Sequence, residues 1–295
     1  MLLGAGILAG CAAQPDASAS STQSEGASDA STSNDATSAR VVATSRSLAQ
    51  MAILAGMPPV GVTEDATDLD GLPADVETVG TPAKPSLEKI VALEPTLVLI
   101  TAEVPTQKEL ESSLDSAGIA WRDVDVNNFD DYATHMAALT EMSGRDDLYQ
   151  ANVTDVSDAI AKVEESAADL PQVSYLALLV SSTKAKVAKS DYFACEIFDN
   201  LQMANVAEDD SSLDDLSVEA IVAADPTYVF VIPRGDEDKA KEVFEQDFQQ
   251  PAWASLSAVQ AGRINVLPKD LFEYKPNERW AEAYSYILNL REQEG

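Results

Sequence analysis

Ser86-Leu87-Glu88-Lys89-Ile90-Val91-Ala92-Leu93-Glu94-Pro95-Thr96-Leu97-Val98-Leu99-Ile100 returns further along the chain as Ser217-Val218-Glu219-Ala220-Ile221-Val222-Ala223-Ala224-Asp225-Pro226-Thr227-Tyr228-Val229-Phe230-Val231, with eight of the fifteen positions identical. In both copies a serine stands where a helix N-cap belongs, because its hydroxyl can accept from an orphan amide of the first turn. Glu88 and Glu219 follow in that first turn, where the helix dipole favours an anion. The Ile-Val-Ala run gives one apolar helix face, and Pro95 and Pro226 stop the helix. Leu97–Ile100 and Tyr228–Ile232 are short continuous apolar runs, the pattern of strands buried on both faces of a parallel sheet. Each copy therefore reads as helix, proline turn and buried strand.

Working outward, a weaker echo supports a duplication. Val42-Ala43-Thr44-Ser45 opens an apolar helical pattern through Ala49, Ile53 and Met57, and Val187-Ala188-Lys189-Ser190 opens another through Ala194, Ile197, Leu201 and Met203. Both read as a strand feeding a helix. Between the halves Tyr149, Val153, Val156, Ile160, Val163, Ala167 and Leu170 recur at spacings of four and three, and Pro171 closes the run. That is one amphipathic helix of roughly 25 residues, about twice the usual length. The expected fold class is α/β: two lobes, each with a mostly parallel sheet and flanking helices, joined by one long rigid helix. The expected boundaries are 1–11 for a signal segment, 12–39 for a tether, 40–143 for the first lobe, 144–170 for the joining helix and 171–295 for the second lobe.

The chain has 295 residues, 50 of them acidic and 19 basic, for a formal charge of −31. Such a surface repels phosphate backbones and argues against nucleic acid as a partner. Two cysteines cannot make a disulfide framework. Met1–Gly10 is short and apolar and closes on Leu8-Ala9-Gly10-Cys11, which resembles the bacterial lipobox and makes Cys11 the expected lipidation site. No lysine or arginine precedes the apolar run, so the true start codon is expected upstream. Residues 12–39 hold no aromatic residue and no Leu, Ile or Val, too little to offset the entropy of ordering, and read as a disordered tether.

These features together resemble the cluster-A (class III) substrate-binding lipoproteins of ABC importers, the group that takes up iron siderophores, haem and cobalamin. The resemblance runs from Arg40 to about Arg291. It includes the two repeats and Trp253-Ala254-Ser255-Leu256-Ser257-Ala258-Val259-Gln260-Ala261-Gly262-Arg263-Ile264, which looks like the segment before the family's last strand. It implies a lipid-anchored extracytoplasmic receptor, not an enzyme. Such a receptor captures an iron complex, siderophore or haem, between two lobes as a monomer and delivers it to an ABC permease and its ATPase subunits. Cobalamin or another corrinoid is the alternative cargo. The resemblance gives Glu88 and Glu219 a docking role on the permease; the plainer reading is a favourable helix terminus. Within that group the chain most resembles the haem-receptor lipoproteins of Gram-positive bacteria. Here the position of their methionine iron ligand is Ala83 and that of their histidine ligand is Arg234.

Ligands of open α/β sheets sit beyond the carboxyl ends of the strands. That selects Ser45, Arg46, Lys84, Arg234 and Lys275, whose charge or hydroxyl suits an oxygen-rich anion, and Tyr192 and Tyr274 as aromatic candidates. Each has an ordinary alternative: a solvated cation, a cap, or core packing. No bound cofactor or resident metal is expected, since the single histidine, His135, falls in a helical pattern away from the proposed cleft. Cys195 reads as a buried free thiol. A membrane-anchored enzyme is the rival of a different class, but no nucleophile motif, phosphate loop or paired histidine supports it.

Overall fold

Two mostly parallel sheets, one in each half of the chain, are built around the duplicated segments. They are seen in a computed structural model that describes residues 39–207, 218–249 and 251–294. Cys11, the segment 12–38 and Ser217 lie outside the described residues.

The first sheet uses β1 (Val41–Ala43), β2 (Gly61–Val62), β3 (Glu77–Thr78), β6 (Leu97–Ile100) and β7 (Trp121–Asp123) in the order β3-β2-β1-β6-β7, all pairs parallel. A two-stranded antiparallel hairpin, β4 (Gly80–Thr81) and β5 (Lys84–Pro85), stands apart from it. The second sheet uses β8 (Val173–Val180), β10 (Met203–Asn205), β11 (Tyr228–Pro233) and β12 (Ile264–Val266) in the order β10-β8-β11-β12. Its ladders are parallel too, from Met203 opposite Val173 to Val231 opposite Val266. The repeats thus occupy one place in both lobes: β6 lies between β1 and β7 as β11 lies between β8 and β12.

The remaining strand, β9 (Ala185–Val187), does lead into a helix as the echo suggests, but it is not a parallel strand. It pairs antiparallel with β8, Leu178 opposite Val187, and so returns over the carboxyl end of β8 before the helix Phe193–Asn200 begins.

Local chemistry sets the helix ends. Ser86 accepts from the Lys89 amide and starts the helix Leu87–Ala92; Ser45 does the same for Arg46–Leu54, and Asn128 for Phe129–Ser143. Beyond Leu87–Ala92, Glu94 turns left-handed at φ 47° immediately before Pro95, and Asp225 does so at φ 40° before Pro226. L-residues rarely adopt this conformation, which makes it a shared strained feature of the two copies.

The joining helix runs from Asp146 to Ala167, about 33 Å at the standard rise. It is not uniform: Gln150–Thr154 forms a π turn. There the buried Tyr132 hydroxyl donates to the Asn152 carbonyl at 3.1 Å and the Asn152 side-chain amide donates to the Leu54 carbonyl, so hydrogen bonds to groups outside the helix engage the widened turn. Val153, Val156, Ile160 and Ala167 are buried, as their spacing required.

Residues alternate across each sheet. Val41, Ala43, Leu97 and Leu99 face one way and Val42, Val98 and Ile100 the other. In the second lobe Tyr175, Ala177, Tyr228, Phe230 and Ile232 oppose Leu176, Leu178, Val229 and Val231. The inner faces of both sheets belong to one continuous core with the joining helix and Trp280. Trp280 meets Phe129 of the first lobe edge-on at 5.9 Å and Phe193 of the second at 5.7 Å. Among the described residues no helix is long and apolar enough to cross a membrane.

Candidate functional site

All parallel strands of a lobe end at one edge, so the loops after β1, β6, β7 and β11 gather there. Two cavities open among them. The larger, about 660 Å³, is lined by β9 and its continuation (Lys186–Lys189), Asp191–Phe193 and Arg234 from the second lobe, with Glu103 and Asn127 from the first. The smaller, about 190 Å³, is more apolar: Leu48, Met51, Pro82, Val104, Val124 and Val126 meet Ser45 and Tyr274. Glu103, Arg234, Glu273 and Lys275 line both.

Charge sets the larger cavity apart from the rest of the molecule. Lys186, Lys189, Arg234 and Lys275 face Glu103, Asp191 and Glu273 there, whereas the sequence as a whole has 19 basic against 50 acidic side chains. Arg234 follows β11 directly; its amide donates to the Val180 carbonyl at 2.7 Å, and its guanidinium keeps 51% exposure with only a 4.0 Å approach to Glu273. Burial pushes the Glu273 carboxyl up, against the pull of Lys269 and Arg234. The Glu273 carboxylate thus tethers two cations from behind and leaves Arg234 facing the opening.

The other expected residues are placed as follows. Ser45 lines the smaller cavity, but its hydroxyl caps the helix behind it. Arg46 is engaged: it pairs with Asp68, donates to the Asp65 carbonyl at 2.7 Å and lies 5.5 Å over the Tyr274 ring. It faces a separate small cavity of about 120 Å³. Tyr274 lines the smaller cavity with Lys269 5.2 Å from its ring. Tyr192 lines the larger one, yet its hydroxyl donates to the Phe272 carbonyl at 2.6 Å and burial raises its pKa, so it offers a ring face, not a phenolate. Lys84 is exposed on β5 and lines neither cavity. Ala83 accepts from the Thr106 hydroxyl at the turn of the same hairpin. Gly80 opens that hairpin at φ 114°, where a Cβ would come within 2.6 Å of the Lys84 carbonyl. Glu88 and Glu219 are exposed in the first turns of their helices.

Two groups of residues escaped the sequence, and Lys275 was legible only without its partners. Lys186 and Lys189 reach the cleft because β9 folds back, a turn with no strong signal in Ser181–Lys184. Lys275, which reads either as a cleft cation or as an ordinary surface one, crosses between lobes: its ammonium meets Glu103 at 2.9 Å and the Val126 carbonyl, and its amide donates to the Ser47 hydroxyl at 3.1 Å. Asn277 and Glu278 continue that crossing to Ser47 and Gln50. Gln107, fully buried, ties three elements together: its amide donates to the Thr44 and Pro82 carbonyls at 2.9 Å, and its carbonyl accepts from the Thr101 amide and the Thr44 hydroxyl. His135 is part-buried with Nε2 against the Asp125 carbonyl at 3.1 Å, outside the cavity lining. Cys195 is a buried free thiol, its pKa pushed up to about 12 by burial. Among the described residues no group of acidic, histidine or cysteine side chains is arranged to hold a metal ion.

Comparison with known proteins matches this geometry. A family model described as "Periplasmic binding protein" covers residues 41–271. The Fe(3+)-citrate-binding protein YfmC of Bacillus subtilis (strain 168) is 23% identical over 227 residues, 73% of this chain and 68% of that one. Among solved structures, S. aureus IsdE complexed with heme superposes with a TM-score of 0.74 at 20% identity, covering 85% of this chain and 98% of that chain. The periplasmic vitamin B12 binding protein BtuF of Vibrio cholerae gives 0.71 at 21% identity, covering 86% and 97%. At these identities the superpositions speak for the fold.

Proposed function

Since this chain belongs to the periplasmic binding protein family, we propose that it captures an anionic ferric complex outside the cytoplasm and hands it to an ABC permease with its ATPase subunits. The observation that carries this reading is the convergence of Lys186, Lys189, Arg234 and Lys275 on one cleft of a chain whose formal charge is −31. The four cations outnumber the three carboxylates among them, Glu103, Asp191 and Glu273, so the cleft carries a local positive excess that favours an anion. An oxygen-rich chelate of the ferric citrate kind, the ligand named for the Bacillus relative, meets them with carboxylates. The smaller, apolar cavity beside it suits a ligand with a non-polar arm, so a siderophore or haem stays within the class. A corrinoid is the alternative cargo.

In this reading Cys11 carries the lipid that holds a monomeric receptor at the outer face of the membrane, and Glu88 and Glu219 dock on the permease. The two glutamates occupy equivalent, exposed positions in the two lobes, as contacts with a two-fold partner would require. The test is a titration of the full-length protein with ferric citrate, haemin and cobalamin, followed by tryptophan fluorescence, because Trp280 packs on Phe193 of the cavity wall. Ferric citrate should quench saturably, and Arg234→Ala should weaken it at least about tenfold, the cost of a charge-assisted bond. Saturation by cobalamin alone would move the cargo to the corrinoids; silence with all three would overturn the proposal. Replacing Glu88 and Glu219 together by alanine should abolish uptake and spare capture.

A further inference from the structure

Lys275 and Glu103 line both cavities, so a ligand in either one meets their ion pair. Lys275 comes from the second lobe, but the oxygens that hold its ammonium, Glu103 Oε1 and the Val126 carbonyl, come from the first. The Phe193 ring lies 4.8 Å from the ammonium. Next to Glu103 stands Asp125, whose carboxyl is pushed up by burial and by Glu103 and whose Oδ1 is buried without a partner. One ammonium thus pairs directly with Glu103 and acts on Asp125 only through its charge, at the boundary of the binding space.

We propose that Lys275 is an anion-receiving group of the cleft for which Glu103 is an internal stand-in: an anionic ligand group takes Lys275 from Glu103, and the released Glu103–Asp125 pair takes up one proton. This rests on the proposed capture of an anion. The physical ground is that two adjacent carboxylates do not both stay ionised once their cation is neutralised. Burial first, and Glu103 second, already push the Asp125 carboxyl up to about 6, while Lys275 pulls the other way. A ligand anion on Lys275 cancels that pull, so the pair holds its proton more tightly in the complex than in the free protein. The complex is therefore favoured as pH falls towards about 6, and the gain levels off below about 6, where the free protein is already protonated.

The charged groups around the pair come from four directions. Lys275, Arg234 and Glu273 face it from the second lobe across the shared cavity lining. Asp123 accepts from the Ala102 amide on the Glu103 side, and Asp131 accepts from the Asn127 amide on the Asp125 side. His135 touches the Asp125 carbonyl from the helix Phe129–Ser143. Of these, Lys275 alone is ion-paired to Glu103 among the described contacts.

The test is calorimetric titration of the full-length protein with ferric citrate in buffers of different ionisation enthalpy, which counts protons. Wild type should take up a fraction of a proton, at most about one, per ligand near neutral pH. Asp125→Asn should lose this uptake, His135→Gln should keep it, and Lys275→Met should bind more weakly. Glu103→Gln should bind about two- to fivefold more tightly, because the competitor for Lys275 is gone. Weaker binding by Glu103→Gln, or equal uptake by wild type and Asp125→Asn, would overturn the proposal. A carboxyl NMR titration without ligand gives a second reading: in Lys275→Met, Asp125 should titrate above its wild-type value, and an unchanged or lower value would refute the pairing. If ferric citrate does not bind at all, the cargo reading fails and that ligand-free titration still decides this one.

Discussion

Replacing Gln107 should loosen the rim of the cleft without touching any ligand group. The side chain is fully buried and makes four hydrogen bonds that join the ends of β1 and β6 to the Pro82 turn of the β4–β5 hairpin. Leucine has a similar volume, so Gln107→Leu removes the bonds with little change in packing. It strands the Thr101 amide and the carbonyls of Thr44 and Pro82. Each unsatisfied buried group costs about 1–3 kcal/mol when nothing relaxes. The Pro82 turn lies at the cleft rim and is free to regain water, so the net loss should be about 2–4 kcal/mol. In urea this appears as a lower midpoint with an unchanged slope, and on heating as about 2–4 °C for each kcal/mol. Gln107→Glu sharpens the test, because it points a carboxylate at two carbonyls. Its folded-state pKa must lie above that of the unfolded chain, so the variant gains stability as pH falls from the folded value towards the unfolded one. A Gln107→Leu protein within about 0.5 kcal/mol of wild type, or a Gln107→Glu protein that weakens as pH falls through that window, would refute the clamp.

Glu94→Gly should raise stability by about 0.5–1 kcal/mol in urea unfolding, since Glu94 is exposed at φ 47° and glycine relieves that backbone. Asp225→Gly should not share the gain, because the Asp225 carboxylate accepts from the Ser257 amide and hydroxyl at 2.8 and 2.6 Å. Cys195 should resist a disulfide reagent at about pH 8 in the native protein and react at once in denaturant, because burial leaves the thiol protonated. Trp280→Ala should cost about 3–5 kcal/mol in the same unfolding assay, a cavity in the core that spans both lobes.

The sequence made the scaffold legible wherever one physical pattern had one solution. The serine cap, the proline stop and the unbroken apolar strand of Ser86–Ile100 are each local, and their repetition at Ser217–Val231 placed β6 and β11 before any tertiary contact was known. The spacing of Val153, Val156 and Ile160 marked the buried face of the joining helix. The π turn within it was hidden, because it is engaged by Tyr132, a residue from another helix. Arg234 was legible because it directly follows a buried strand. Lys186 and Lys189 were not, since an antiparallel return after β8 leaves no periodic trace. Lys275 and Glu103 are far apart in sequence, and nothing at either position announces the other. Tyr192 shows the converse: its position was read, but the Phe272 carbonyl that occupies its hydroxyl belongs to the fold, not to the pattern.

The shared core decides how this molecule can bind. Opening the lobes far enough to expose Trp280 would bring about 150–250 Å² of aromatic surface into water, at about 25 cal/mol per Å², or about 4–6 kcal/mol. A form opened that widely would be present in fewer than about one molecule in a thousand. The crossing of Lys275, Asn277 and Glu278 onto Ser47 and Gln50 adds polar ties to that cost. Capture by wide hinge closure is therefore closed to this fold. Recognition has to come from groups already in place, and the cations on β9 and after β11 are held by backbone ladders before any ligand arrives. What can rearrange without parting the lobes is small: the Lys275–Glu103 pair between the two cavities. A stiff joint thus assigns selectivity to fixed charge and leaves gating to a few side chains, so variants of those side chains should alter ligand affinity while leaving the lobes where they are.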